Sequence, residues 1–490
     1  METSNILLIM VDEFRRDALG CAGHKFVQTP NLDALAARGT RFTNAYTNCP
    51  ICVPARAAFA TGNYANKTGY WDNSIAWDGR IRSWSHVLQE ANVKVETIGK
   101  LHYRSSNDPL GLDKSHIPMY IKDGIGSIKG AIRDPLPPLS KDAHLKDGFP
   151  AKAQIGVSSY NQYDLKVTEL ARNWLQTNGS TNSKPWVLFV SFLAPHYPLT
   201  VPKEFFELYD PSKLDLPVSD PKSTNYKLHP WAKILDAYQP HSNNMTEEKT
   251  RTALAAYFGL CSFIDHQIGL ILKTLKEECL EDRTRIIFTA DHGENAGDRG
   301  MWGKSLLYEH STGVPMIIAG PGIDQGGVCE TPVSLVDCRP SILEATGIRD
   351  EMPANSLPGK SLFQLAQKDY EQDRPVFSEY HAAYSPTGAY MLRLGNWKLN
   401  YYVNYPPELF NLSKDPLELI NEASNPKYDK ILQDLIKELR AIVDPEATDR
   451  RAKDDQNKRL SEFGGAAKVL ANELGTAGYT EVPTSILDKL

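Results

Sequence analysis

Short, almost wholly apolar runs recur through the first two thirds of the chain, at residues 5–11, 186–193, 285–290 and 314–319, and residues 93–98 read as another short strand. Apolar residues at nearly every position, rather than at alternate ones, mark strands covered on both faces. At 164–176, 247–278 and 335–345 the apolar positions recur every three or four residues, which predicts helices. Thr29 followed by Pro30 predicts another helix start, with the threonine as N-cap and the proline at the first helical position. Strands and helices in alternation predict an α/β fold, a large and mostly parallel central sheet sandwiched by helices.

The pattern changes near residue 374. Segments 375–381, 389–394 and 397–403 are extended, close together and separated by turn residues such as Gly395-Asn396. Residues 432–443 form an amphipathic helical repeat. The expected organisation is therefore a large α/β domain over 1–373 and a smaller α+β subdomain on an antiparallel sheet over 374–443. Residues 444–490 are charged, then rich in Gly and Ala, and run through Tyr479-Thr480-Glu481-Val482-Pro483. They read as an extended tail and as the contact of a homo-oligomer. Residues 104–160 carry much Pro, Gly, Asp and Lys with little periodicity, which reads as a long insertion over an active site.

Composition narrows the class of protein. With 41% hydrophobic and 23% charged residues the chain has the balance of a globular protein. A net charge of −6 predicts no general affinity for nucleic acid or membrane. The runs at 6–11 and 187–192 are too short to span a bilayer. The first residues lead straight into an apolar strand with no basic region before it, which predicts no secretory leader. Seven cysteines without dense spacing fit a reduced, cytoplasmic protein better than a disulfide framework.

The candidate chemistry gathers at the ends of the predicted strands. Cys52 lies between an extended segment and a helical one, so it faces free N–H groups and the positive end of a helix dipole. That position is expected to lower a thiol pKa. Arg56, four residues on, is placed to fold back and hold an anion. Asp12 and Glu13 follow the first strand, and Asp291 and His292 follow the strand at 285–290. In an open α/β sheet the ligand crevice lies beyond the carboxyl ends of the strands, so these groups are expected to meet there. Three acids that close repel one another unless a cation sits among them. Their oxygens favour Ca²⁺ first or Mg²⁺, and the imidazole keeps Mn²⁺ and Zn²⁺ open. Lys100, His102, His196 and Lys304 also fall just past strand ends, which points to an anion site.

These residues match the sulfatase family in several separate blocks. Cys52-Val53-Pro54-Ala55-Arg56, with Thr61-Gly62 closing a short helix, resembles the sulfatase signature Cys-x-Pro-x-Arg. Ala55 stands where serine is most common. Gly99-Lys100-Leu101-His102, Pro195-His196-Tyr197-Pro198, Gly297 to Lys304, Tyr308-Glu309-His310-Ser311 and Leu409 to Pro416 are similar to later blocks, in the right order. The resemblance runs from Asn5 to about Asn421. It implies an alkaline-phosphatase-like fold and hydrolysis of an organic sulfate monoester. It further implies that a formylglycine-generating enzyme oxidises Cys52 to formylglycine, whose hydrated aldehyde is the nucleophile. Asp12, Glu13, Asp291 and His292, with the oxygen derived from Cys52, are carried over as ligands of one divalent cation. Glu13 departs from the usual Asp, Gln or Asn. Lys100 and Lys304 are carried over to hold the sulfate, with Arg56 beside them. His102 is to serve the nucleophile, His196 to face the leaving group and Asn73 to touch substrate.

Within the family the chain looks closest to cytosolic choline sulfatases and phosphonate monoester hydrolases. A phosphonate monoester or phosphodiester is an equally monoanionic substrate. A Cys-dependent phosphatase is a third reading, but its Arg is typically five positions after Cys, and Pro54 removes an N–H that its loop needs. A degenerate binding protein is a fourth, opposed by the presence of every expected polar residue. Tyr380, Tyr384, Tyr390 and Trp397 are candidates for an aromatic box around a quaternary ammonium, with plain strand packing as the alternative. Segments 104–160, 200–245 and 381–384 are expected to select the alcohol.

Overall fold

The computed structural model describes residues 3–139, 147–179, 184–218, 227–239, 241–352, 356–367, 371, 373–471 and 480–487. The main sheet is built from β1 (Asn5–Asp12), β2 (Gly39–Phe42), β3 (Lys94–Lys100), β4 (Lys114–Met119), β5 (Trp186–Pro195), β6 (Thr284–Ala290), β7 (Met316–Ala319) and β8 (Gly327–Cys329). Across the sheet they run β8-β2-β7-β6-β1-β5-β3-β4. All pairings are parallel except those of β7 with β2 and β6. Every residue of β1, β5 and β6 is buried, as their continuous apolar runs require.

Helices cover the sheet. They are α1 (Pro30–Ala37), α2 (Cys52–Thr61), α3 (Ser159–Asn178), α4 (Glu247–Glu277) and α5 (Cys338–Ala345). α3 and α4 pack on each other and on β5, while α5 packs against α2 and β1. By length and composition α4 is apolar enough to cross a bilayer, yet most of that stretch is buried inside the fold. Pro30 opens α1 as expected, but the Thr29 side chain does not cap it. Its hydroxyl accepts from Gly20 N at 2.9 Å and donates to Asp33, and the N–H groups of Asn31 and Leu32 go instead to Asp265 on α4.

The second sheet is antiparallel throughout: β9 (Val376–Tyr380), β10 (Ala389–Leu394), β11 (Trp397–Tyr402) and β12 (Glu408–Asn411). The amphipathic α6 (Asp429–Ile442) lies over it, burying Leu432, Leu435 and Leu439. Glu309, from the Tyr-Glu-His-Ser block, ties the two sheets together. It takes Lys398 of β11 at 2.8 Å and also pairs with Arg16.

Two expectations change here. The stretch after residue 444 is not extended at its start: Pro445–Glu462 is a helix, α7, capped by the Asp444 side chain on Ala447 N at 3.0 Å. Its polar residues meet buried polar partners on the large domain rather than solvent. Arg133 reaches Asp449 at 3.1 Å and Gln456 at 2.9 Å, and Trp71 Nε1 donates to Asp455 at 2.8 Å. A helix packed by polar contacts gives no apolar stripe for a periodicity reading to find. Tyr479 lies outside the described residues. The segment 104–160 also holds more than a loop, because β4 forms one edge of the main sheet.

Candidate active site

Strand register brings the predicted groups to one edge. In β1, Val11 lies opposite Ala290 of β6 and Asp12 opposite Pro195 of β5, while Gly99 of β3 lies opposite Ser191 of β5. Asp12, Lys100, His196 and Asp291 therefore leave neighbouring parallel strands at the same level. Asp12, Lys100, His102, His196, Asp291 and His292 are all nearly inaccessible to solvent. Gly293 lets the turn after His292 close, since a Cβ there would lie 2.0 Å from the His310 carbonyl oxygen.

Cys52 opens α2, as its sequence position suggested. No side chain of the N-cap residue Ile51 caps the helix; Asn73 Oδ1 accepts from Val53 N at 3.2 Å instead. Cys52 Sγ lies 3.1 Å from His292 Nε2 and 3.5 Å from Asp12 Oδ1. The expected low thiol pKa does not hold. Burial, then the Asp12 carboxylate, push the Cys52 thiol up to about 12, so the helix dipole is outweighed. An unmodified Cys52 is a protonated thiol at neutral pH and a poor nucleophile.

Asp12, Cys52, Asp291 and His292 each turn one donor atom into a common volume, all within 4.8 Å of one another. The carboxylates divide their oxygens. Asp12 gives Oδ2 to Lys100 Nζ and leaves Oδ1 to the cluster. Asp291 gives Oδ2 to Arg56 Nε at 2.8 Å, while Oδ1 accepts from the His292 and Glu13 amides at 3.0 and 3.2 Å. His292 Nδ1 lies 3.0 Å from the Gly293 carbonyl oxygen, which makes it the protonated nitrogen. Nε2 is then a bare lone pair, 3.5 Å from Asp12 Oδ1 and 3.7 Å from Asp291 Oδ1. Lone pairs facing one another in a buried volume fit a bound cation. The thiol is the soft member of a hard set, whereas an oxygen at that position completes it.

Glu13 stands slightly apart. Its backbone is left-handed, with φ 63°. Its Oε2 lies 3.0 Å from Lys304 Nζ and 3.3 Å from His196 Nε2, a group that also includes Asp12. Burial and the adjacent Glu294 push its carboxyl well above the usual range, against the pull of Lys304. Burial also raises the Asp12 carboxyl, but Lys100, His292, Lys304 and Arg56 outweigh it and hold that group well below the usual range.

The cationic groups are engaged in defined ways. Arg56 Nη1 donates to Ser191 Oγ and to the Lys100 carbonyl, both at 2.8 Å, in addition to the Asp291 pair. Ser191 carries no motif and was not anticipated. His196 Nδ1 lies 2.6 Å from the Tyr197 carbonyl oxygen, so Nε2 accepts from Lys304 Nζ at 2.7 Å. Burial, then Lys304 and Lys100, hold His196 well below its ordinary pKa. Burial lowers Lys304, but the acidic groups around it outweigh burial and hold it well above its ordinary pKa. The proton of this pair therefore resides on Lys304.

The site opens into a cavity of about 340 Å³. Cys52, Asn73, Lys100, His102, His196 and Lys304 line its floor and sides. Lys129, Tyr160, Tyr238, Tyr384 and Thr480 are among the residues that line the rest, and of these Lys129, Tyr160 and Tyr238 had not been singled out individually in the sequence. Tyr384 stacks on Tyr238 with centroids 5.3 Å apart. The four-membered aromatic box does not form. Tyr380 and Tyr390 are buried, Tyr390 with its hydroxyl on the Pro445 carbonyl, and Trp397 packs on Tyr428. These side chains alternate through a sheet and pack its faces, so they cannot converge.

The family described as Sulfatase matches residues 4–348, well over half of the chain. The chain belongs to the sulfatase family. Residues 297–444 also match the C-terminal region of N-sulphoglucosamine sulphohydrolase. A choline-sulfatase of Rhizobium meliloti is 32% identical over 93% of this chain and 90% of its own. Arylsulfatase K of Danio rerio is 31% identical over 90% and 84% respectively. Among solved structures, a phosphonate monoester hydrolase of Agrobacterium radiobacter superposes with a TM-score of 0.72 at 25% identity, over 90% of this chain and 95% of the other. The fold is that of the alkaline-phosphatase-like superfamily, and the chain is a sulfuric ester hydrolase.

Proposed function

We propose that this sulfatase hydrolyses an organic sulfate monoester with a formylglycine nucleophile derived from Cys52, beside one divalent cation, Ca²⁺ first among the candidates. The observation that carries the reading is the environment of Cys52: its sulfur points into a hard donor cluster, and its thiol is pushed up to about 12. Neither feature suits a thiolate enzyme. Asp12, Asp291 and His292 would hold the cation, with Glu13 beside them. Such an ion supplies Lewis-acid stabilisation and a more acidic hydroxyl.

The chain's own residues do the rest. Lys100 and Lys304 draw in the sulfuryl oxygens and stabilise charge that grows on them. Lys304, protonated and held by His196 Nε2, donates the proton that the departing alkoxide needs. His196, expected to face the leaving group, thus acts through the Lys304 ammonium that it holds. His102 serves as base toward the nucleophile. Arg56 acts one step away, fixing Asp291 rather than touching substrate. Maturation requires a formylglycine-generating enzyme as partner.

The alcohol is read from the cavity wall. Lys129 adds a positive charge there, Asp72 adds a carboxyl group, and Tyr160, Tyr197, Tyr238 and Tyr384 add aromatic surface, so the wall suits a polar alcohol. The second reading, a phosphonate monoester or phosphodiester, rests on the likeness to the phosphonate monoester hydrolase.

The test has two parts. Peptide mass spectrometry of protein matured with a formylglycine-generating system should show Cys52 lighter by about 18 Da, the change from thiol to aldehyde. Parallel kinetics on p-nitrophenyl sulfate and a phenyl phosphonate ester should favour the sulfate. Full turnover by protein with an intact thiol would sink the nucleophile assignment, and a preference for the phosphonate would install the second reading.

A further inference from the structure

The segment 480–487 brings Thr480 into the active site. Thr480 Oγ1 lies 3.0 Å from His102 Nε2. Its carbonyl oxygen accepts from the Tyr160 hydroxyl at 2.6 Å, and Tyr160 stands at the start of α3. Two residues further on, Val482 is buried in the main core, as is Ile486, so the segment is anchored by apolar packing. Thr480 itself lines the catalytic cavity.

His102 needs such a partner. It is 4% exposed, with a left-handed backbone at φ 52° and its own N–H on the Met119 carbonyl at 2.8 Å. Nδ1 is buried and has no hydrogen-bond partner among the described residues. A neutral imidazole carries one proton, on one nitrogen or the other. A proton on Nδ1 is a buried donor with nothing to accept it, the costlier of the two unmet groups. A proton on Nε2 is accepted by Thr480 Oγ1, and Nδ1 is then a bare buried lone pair. The second arrangement is the favoured one. It leaves Nδ1 as the nitrogen free to take a proton.

We propose that the C-terminal segment completes the active site and that Thr480 is the positioning residue that holds His102 in its Nδ1-basic tautomer. The second part rests on the reading of His102 as the base. The logic is that of a ring whose far nitrogen is fixed by a hydrogen bond so that the near one faces its task.

The experiment uses full-length, matured, metal-loaded enzyme with Thr480→Val, which keeps the shape but removes the acceptor, and Thr480→Ser, which restores it. Two quantities are read. In nitrogen NMR of histidine-labelled protein, with His102→Gln identifying the signals, wild type and Thr480→Ser should show His102 protonated at Nε2 and bare at Nδ1. Thr480→Val should lose that single tautomer. In steady state, Thr480→Val should lower kcat by about tenfold or more with little change in KM, the usual penalty for losing an orienting partner. Thr480→Ser should recover most of it. Unchanged His102 signals in Thr480→Val, or a Thr480→Ser enzyme as impaired as Thr480→Val, overturns the proposal. If the wild type turns over neither sulfate nor phosphonate esters, the functional reading fails, while the nitrogen signals still decide whether Thr480 sets the tautomer.

Discussion

Arg56→Met should destabilise the fold through Asp291, and the size of the effect follows from the contacts. Arg56 is 1% exposed and spends its guanidinium on Asp291 Oδ2, Ser191 Oγ and the Lys100 carbonyl. Methionine fills a similar volume but leaves the Asp291 carboxylate buried beside Asp12 without its cation. Removing one partner of a buried ion pair costs about 3–5 kcal/mol. At about 2.1 cal/mol/K of unfolding entropy per residue, a chain this long loses about 3–5 °C in Tm. The assay is thermal unfolding in EDTA, so that no cation masks the unpaired carboxylate. The decisive variant is the double one. Asp291→Asn in the Arg56→Met background removes the stranded charge, so the two losses should fall short of additivity by about 1.5 kcal/mol or more. Additive losses would refute the reasoning, because they would mean that Arg56 contributes by packing alone and that Asp291 does not depend on it.

Chelation by EDTA should abolish hydrolysis and added Ca²⁺ should restore it, and Asp291→Asn should raise the Ca²⁺ needed for half-activity by about tenfold or more; a metal-free, fully active enzyme by elemental analysis refutes the cation. Lys304→Ala should cost about 10²-fold more with an alkyl sulfate than with p-nitrophenyl sulfate, because an acid matters only when the leaving group is poor; equal losses on both would assign Lys304 to binding. Burial raises Asp265 to about 6, so its folded state holds a proton more tightly than the unfolded one. That contribution is complete below about pH 4 and is lost as pH rises through about 6, with a slope of at most about 1.4 kcal/mol per pH unit. Urea midpoints across this range should show the decline in wild type and a flatter profile in Asp265→Asn.

The site was legible in the sequence to the extent that its groups sit beside strands. The runs at 5–11 and 285–290 are apolar throughout because β1 and β6 are covered on both faces, so the polar residues that end them stand out. Asp12 and Asp291 were visible for that reason, and the Cys52 helix start was visible from the extended-to-helical change. Three features were not legible. The state of the Cys52 thiol is set by Asp12, forty residues away, and by burial, neither of which a helix dipole argument includes. Ser191 lies inside an apolar run, where a lone serine carries no pattern. The charged α7 read as an extended tail because its partners, Arg133, Trp71 and Asp72, come from far earlier in the chain.

Arg56 shows why strand register, more than motif spacing, fixes the chemistry. Its three acceptors belong to three strands: Lys100 ends β3, Ser191 lies within β5 opposite Gly99, and Asp291 stands just past β6. The order across the sheet is β6-β1-β5-β3, so one guanidinium links groups from both flanks of β1, the strand that ends in Asp12. Arg56 and Cys52 share one short helix, and the guanidinium therefore ties the start of α2 to the strand ends. A planar fork with donors in fixed directions can satisfy an aspartate, a hydroxyl and a carbonyl together, which a lysine ammonium on a flexible stem does not reproduce. The Cys-x-Pro-x-Arg spacing is thus a statement about registration: Arg56 sets where α2 meets the sheet, and that in turn places the atom derived from Cys52 among Asp12, Asp291 and His292.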